Sequence, residues 1–157
     1  MEVRIQHKDA FTVLGRERLF PMDAAPEQIP AFWDELFHGD PGTLRGMYGI
    51  CQTEPQTDGG CLRYLIADDW DAAGAVPEGC VLRTIPAYTW AVFPCAGPVP
   101  QAIQVLSREV FSQWLPESGY VCADGLWIES YSNAPADARD VRDQRYTCQL
   151  WVAVKAR

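Results

Sequence analysis

Hydrophobic positions along this chain follow two periods, and the period changes at definite points. Over residues 11–20 apolar and polar side chains interleave as in a half-buried strand carrying exposed charges. Over residues 26–38 the apolar positions are Ile29, Phe32, Trp33, Leu36 and Phe37. Their i, i+3, i+4, i+7, i+8 spacing is the stripe of a helix with one buried face. Gly39 suits a C-cap and Asp40-Pro41-Gly42 cannot continue the turn, whereas Pro30 fits only an early turn and argues for a start later than Pro26. Strands are expected at residues 47–53 and 61–67, joined by the turn-rich stretch 54–60.

After a connector the pattern begins again. Residues 81–95 are strand-like, and Gly97-Pro98 opens a helix with the stripe Ile103, Leu106, Val110, Phe111 and Trp114, stopped at Leu115-Pro116. Closing strands are expected at 126–132 and 146–154, around a polar loop at 133–144. Pro26, Ile29 and Phe37 recur 74 residues on as Pro100, Ile103 and Phe111, and Gly46, Met47 and Tyr48 recur 79 residues on as Gly125, Leu126 and Trp127. The expectation is an α+β fold of duplicated β-α-β-β units with pseudo-two-fold symmetry, antiparallel sheets and two main helices around a central cleft. It forms one domain over 1–157, with a first half at 1–68, a connector at 69–80 and a second half at 81–157. One half alone buries too little to be stable, and joining two creates a groove near the axis, a usual place for a ligand.

Composition narrows the function. With 157 residues, 48% of them hydrophobic, the chain can build a real core, and its formal net charge of −8 repels phosphate backbones, so no direct nucleic-acid contact is expected. No apolar run reaches the roughly 18 residues of a membrane span, and the first residues lack the apolar stretch of a signal peptide, so a cytoplasmic protein is expected. The six cysteines include no C-x-x-C pair and only two histidines accompany them, so no metal is expected. In a reducing compartment most of these thiols should be small buried hydrophobes. No Gly-rich phosphate loop, G-x-S-x-G elbow or H-E-x-x-H pair is present, and no cofactor is expected. Asp68-Asp69-Trp70-Asp71 reads as a solvated connector rather than a cation site, and His38 as a helix-end residue.

The closing strand at 126–132 carries the chemistry. Alternation puts Leu126, Ile128 and Ser130 on one face and Trp127, Glu129 and Tyr131 on the other, a carboxylate between two rings. The repeat assigns Tyr48, Ile50 and Gln52 to the equivalent face of the first half, so that six side chains would line one cavity. A lone carboxylate among aromatics is costly unless paired. Two resolutions stay open: an arginine such as Arg142 or Arg145 (or solvent), or a ligand cation. At about 4 Å and an effective dielectric near 20 a cation is attracted by roughly 4 kcal/mol before desolvation. Aromatic faces add roughly 0.5–2 kcal/mol each. Trp90, which shares a face with Tyr88 and Val92, reads first as core, and Trp151, alternating with polar residues, as a further wall.

Several ordered motifs now resemble a known family. Ile85-Pro-Ala-Tyr-Thr-Trp-Ala-Val-Phe93, Gly97-Pro98, Trp114-Leu-Pro-Glu-Ser-Gly-Tyr120, Trp127-Ile-Glu-Ser-Tyr131 and Leu150-Trp-Val-Ala-Val-Lys155 resemble the GyrI-like small-molecule-binding domain, also called the AraC-type effector-binding domain. Phe11-Thr-Val-Leu-Gly15 and Gly46-Met-Tyr-Gly49 fit it more loosely. The resemblance implies a pocket for hydrophobic, often cationic small molecules, with Glu129 at its base; Trp127, Tyr131, Tyr48, Trp90 and Trp151 are the candidate walls for a cationic ligand. In this family the domain often follows a DNA-binding helix-turn-helix region; none fits before Phe11, so the resemblance implies the stand-alone form, read first as a sensing or sequestering module. Two alternatives accompany it: a small hydrolase of electrophilic natural products with Glu129 as general base, and a gyrase-protecting module with a protein partner.

Overall fold

The computed structural model describes residues 1–39, 44–54, 60–72, 74–131 and 140–157, with residues 39 and 54 described by their backbone alone. The stops expected at 40–42, and most of the turn at 54–60 and of the loop at 133–144, lie outside these residues. In chain order the elements are β1 (Arg4–Lys8), β2 (Phe11–Pro21), α1 (Ala25–Gly39), β3 (Tyr48–Glu54), β4 (Cys61–Asp69), β5 (Val81–Ile85), β6 (Tyr88–Ala96), α2 (Gln101–Glu109), β7 (Tyr120–Ser130) and β8 (Thr147–Ala156). A π-helical turn, Val110–Trp114, and a last α-turn, Leu115–Glu117, extend α2.

All eight strands join one antiparallel sheet in the order β1-β6-β8-β7-β3-β4-β2-β5. From either edge inward the order is the same: a short leading strand, then the second, fourth and third strands of the other half. The duplicated unit is therefore β-β-α-β-β, one strand longer than expected, with the leading strands exchanged between halves. The stretch expected as one strand at 81–95 is two, because Pro86 and Ala87 separate β5, which pairs with β2, from β6, which pairs with β1 and β8. Proline has no N–H to give a ladder, and the chain turns there. β1 carries no apolar alternation that would reveal it, and four of its five residues are exposed.

Connectivity dictates the sheet's shape. Asp9 and Ala10 alone join β1 to β2, although five strands lie between them in the sheet. Three Cα steps span at most about 11 Å, so the sheet curls until its ends approach. Its inner face buries Val13, Tyr48, Ile50, Leu65, Trp90 and Ile128 without any helix. The outer face carries the helices. Phe32 and Leu36 of α1 pack on Phe20, Tyr64 and Ile66, while Ile103 of α2 and Val110 pack on Phe93, Leu150 and Val152. All six cysteines are free thiols, three of them buried. Among the described residues no helix is long and apolar enough to cross a membrane, and no group of His, Cys, Asp and Glu is placed to hold a metal ion.

Candidate ligand-binding cleft

Between α1 and α2, over the central strands β3 and β7, lies a cleft of about 1,290 Å³, larger than the roughly 300–1,000 Å³ of ordinary ligand pockets. Ile29, Trp33 and Phe37 form its α1 wall and Ile103 faces them from α2, while Tyr64, Trp127, Glu129 and Tyr131 form the floor. The two helices are tied together at one point. Pro30 lies inside α1 and has no N–H to give the carbonyl of Pro26. Gln104 Nε2 donates to that carbonyl from α2 at 3.0 Å. At the matching place in α2 the ordinary helical bond exists, from Gln104 N to Pro100 O at 3.1 Å.

The floor is built by register. Glu129 stands opposite Gly49 in the β3–β7 ladder, and Cys51 of β3 stands opposite Tyr64 of β4. With no side chain at Gly49, the Tyr64 hydroxyl donates to Glu129 Oε1 at 2.6 Å. A Cβ at that glycine would overlap both the hydroxyl and Oε1. Tyr131 donates to the same oxygen at 3.1 Å, and Trp33 Nε1 donates to the Tyr64 hydroxyl at 2.9 Å. Rings hold these donors in place: Trp33 meets Tyr131 edge-on at 5.5 Å and stacks on Phe37 at 5.6 Å, and Trp127 packs against Phe111 at 4.9 Å.

Burial raises the Glu129 carboxyl above its ordinary pKa, and the two phenol hydrogen bonds, which favour the carboxylate, offset part of that rise. Some of its surface stays accessible through the cleft mouth. Burial, and after it the charge of Glu129, pushes both phenols up as well, so they remain donors. No cation pairs with Glu129 among the described residues. Arg145 is held by Asp143 at 3.0 Å, and the backbone N–H of Arg142 donates to Asp140.

The structure brings Trp127, Glu129 and Tyr131 together on this floor as alternation predicts. It separates Tyr48, Trp90 and Trp151 from them, a correction both to the walls expected around Glu129 and, through Tyr48, to the expected six-residue cavity. These three lie on the inner face of the sheet, where Trp151 touches Tyr48 and Trp90 at 6.0 Å each, and Tyr48 donates to Asp69 at 3.0 Å. The cause is register. Observed pairs join Gly49 to Glu129 and Cys51 to Trp127, whereas a repeat offset of 79 exchanges odd positions for even. A slip of one residue turns every side chain to the other face. Tyr64, Trp33 and Gly49 were missed. Tyr64 sits in the nearly continuous apolar run of β4, where alternation gives no face, and Trp33 reads only as part of a helix stripe. The acidic connector is bracing: Asp68 accepts from the backbone N–H groups of Arg45 and Met47 at 2.7 and 3.0 Å.

A second cavity, of about 450 Å³, opens on the inner face. Its polar groups already have partners: Arg63 and Arg83 pair with Glu17 at 3.5 and 2.8 Å, and Asp124 accepts from the Tyr88 hydroxyl at 2.5 Å. The cleft between the helices is therefore the candidate site.

Known proteins share both fold and sequence. The transcriptional regulator BrlR of Pseudomonas aeruginosa is 29% identical over 139 residues, covering 83% of this chain and 48% of BrlR, so the chain spans about half the length of that relative. The structure of SAV2435 bound to tetraphenylphosphonium superposes with a TM-score of 0.80 at 24% identity, covering 99% of this chain and 94% of that one. The EcmrR C-terminal domain superposes with a TM-score of 0.60 at 16% identity, covering 99% and 98%. With fold, cleft and a sequence match over residues 1–155 in agreement, the chain belongs to the family of GyrI-like small molecule binding domains.

Proposed function

We propose that the cleft binds lipophilic cations, that Glu129 supplies the counter-charge, and that the protein acts as a sensing or sequestering module. One observation carries this reading: a carboxylate without a cationic partner among the described residues lies on the floor of an aromatic cleft. Both phenols hydrogen-bond Oε1, and Oε2 takes no hydrogen bond from the described residues. A bulky, delocalised cation loses little hydration on entering such a site and gains ring contacts beside the charge. SAV2435 holds a cation of that kind.

The test is calorimetry with tetraphenylphosphonium and with neutral triphenylphosphine oxide. Glu129→Gln should weaken the cation more than about tenfold, 1.4 kcal/mol, and barely change the neutral compound. Equal losses for both would refute the counter-charge. Since the free carboxyl titrates above the ordinary value, cation binding should release a proton and tighten as pH rises through that range. The neutral compound should show no such slope.

The raised carboxyl also suits a general base acting on water, the second reading. Turnover of an electrophilic substrate, lost in Glu129→Gln, would favour it over stoichiometric capture.

A further inference from the structure

The mouth of the cleft differs in charge from its floor. Arg45 ahead of β3, Arg108 on α2 and Arg142 ahead of β8 all line it, three cations from three separate segments. Among the described residues none of these three side chains forms an ion pair, while Arg18, Arg63, Arg83 and Arg145 all do. The formal acids lining the cleft are Asp34 on α1 and Glu129 on the floor. Asp68 and Asp140 accept from the backbone N–H groups of Arg45 and Arg142, but among the described residues no carboxylate pairs with the three guanidinium groups, which stand at the entrance to the acidic floor of a protein whose net charge is −8. A plain cation meets repulsion there, which works against the proposed ligand class unless the ligand carries a second pole. The cleft volume leaves room for one.

We infer that the preferred ligand is dipolar: a lipophilic cation seated over Glu129 that also carries a carboxylate or similar anion reaching Arg45, Arg108 and Arg142. This rests on the cation-binding reading above and adds the selectivity of its mouth. Arg108 lies one turn beyond Gln104 on the same face of α2, next to the tie between the helices. Arg45 precedes Gly46, whose missing side chain admits the rings of Trp33 and Phe37. Arg142 follows Val141, whose carbonyl accepts from Val99 N at 2.9 Å just ahead of α2. The backbone of each arginine is therefore fixed beside the aromatic wall or a helix, and its exposed side chain extends from that point.

The experiment compares butyltriphenylphosphonium with (3-carboxypropyl)triphenylphosphonium at pH 8 and fixed ionic strength, by tryptophan quenching and calorimetry. The carboxylate compound should bind about three- to tenfold tighter, as one or two partly exposed charge-assisted contacts allow. In the triple variant Arg45→Gln, Arg108→Gln, Arg142→Gln the order should invert, with the butyl compound gaining affinity and the carboxylate compound losing it. The corresponding triple lysine variant should restore the original order. Binding of the butyl compound with no gain from the carboxylate, in the native protein, overturns the dipolar ligand and leaves the cation reading standing. Binding of neither phosphonium overturns both.

Discussion

At the scale of single residues, the site depends on one absent side chain. Gly49 leaves the gap through which Tyr64 reaches Glu129, and Trp33 then fixes Tyr64. The chain of donors points at one carboxylate oxygen and orients it without neutralising it. That arrangement has a cost in the unliganded protein. Between the ordinary carboxyl value of 4.5 and the raised value, the folded chain keeps a proton that the unfolded chain has lost. The unfolding free energy therefore falls as pH climbs through that window. Glu129→Gln removes this dependence while leaving an oxygen for both phenols. Thermal denaturation should show the variant gaining on the native protein between pH 4 and pH 8. A constant difference across that range would contradict the desolvated carboxyl. Alternation alone put Trp127, Glu129 and Tyr131 on one face. Tyr64 was illegible because β4 is apolar on both faces, and a strand buried on both sides carries no period to read.

At the scale of elements, the two helices were legible from their stripes, and the difficulty posed by Pro30 turned out to have a structural counterpart. The proline frees the Pro26 carbonyl, and Gln104, at the corresponding place in the other half, takes it. Gln104→Ala should cost about 0.5–1.5 kcal/mol by urea denaturation. In a Pro30→Ala background, where residue 30 again offers an N–H to Pro26, the same change should cost less. Additive losses would mean that the helix tie does not depend on the proline. The short edge strands were not legible. β1 is five residues long and mostly exposed, and nothing local distinguishes such a segment from a solvated terminus. It becomes a strand only because β6 offers it a partner.

For the molecule as a whole, the repeat gave the architecture but not its wiring. Weak similarity between the halves can show that a unit occurs twice, yet it carries no information about which half each edge strand joins, since that is decided by contacts distant in sequence. Removing residues 1–8 tests the exchange. Hydrogen-exchange protection should drop in β6, in the second half, more than in β2, the next strand along the chain. The reverse pattern would contradict the observed pairing.

The exchanged edges also bear on how the cleft admits its guest. Since each half lends its outermost ribbon to its twin, the halves cannot swing apart like the covers of a book without peeling those ribbons away. A guest that outgrows the space between the helices therefore presses on a floor that is one continuous ladder of strands rather than on a seam between two movable halves.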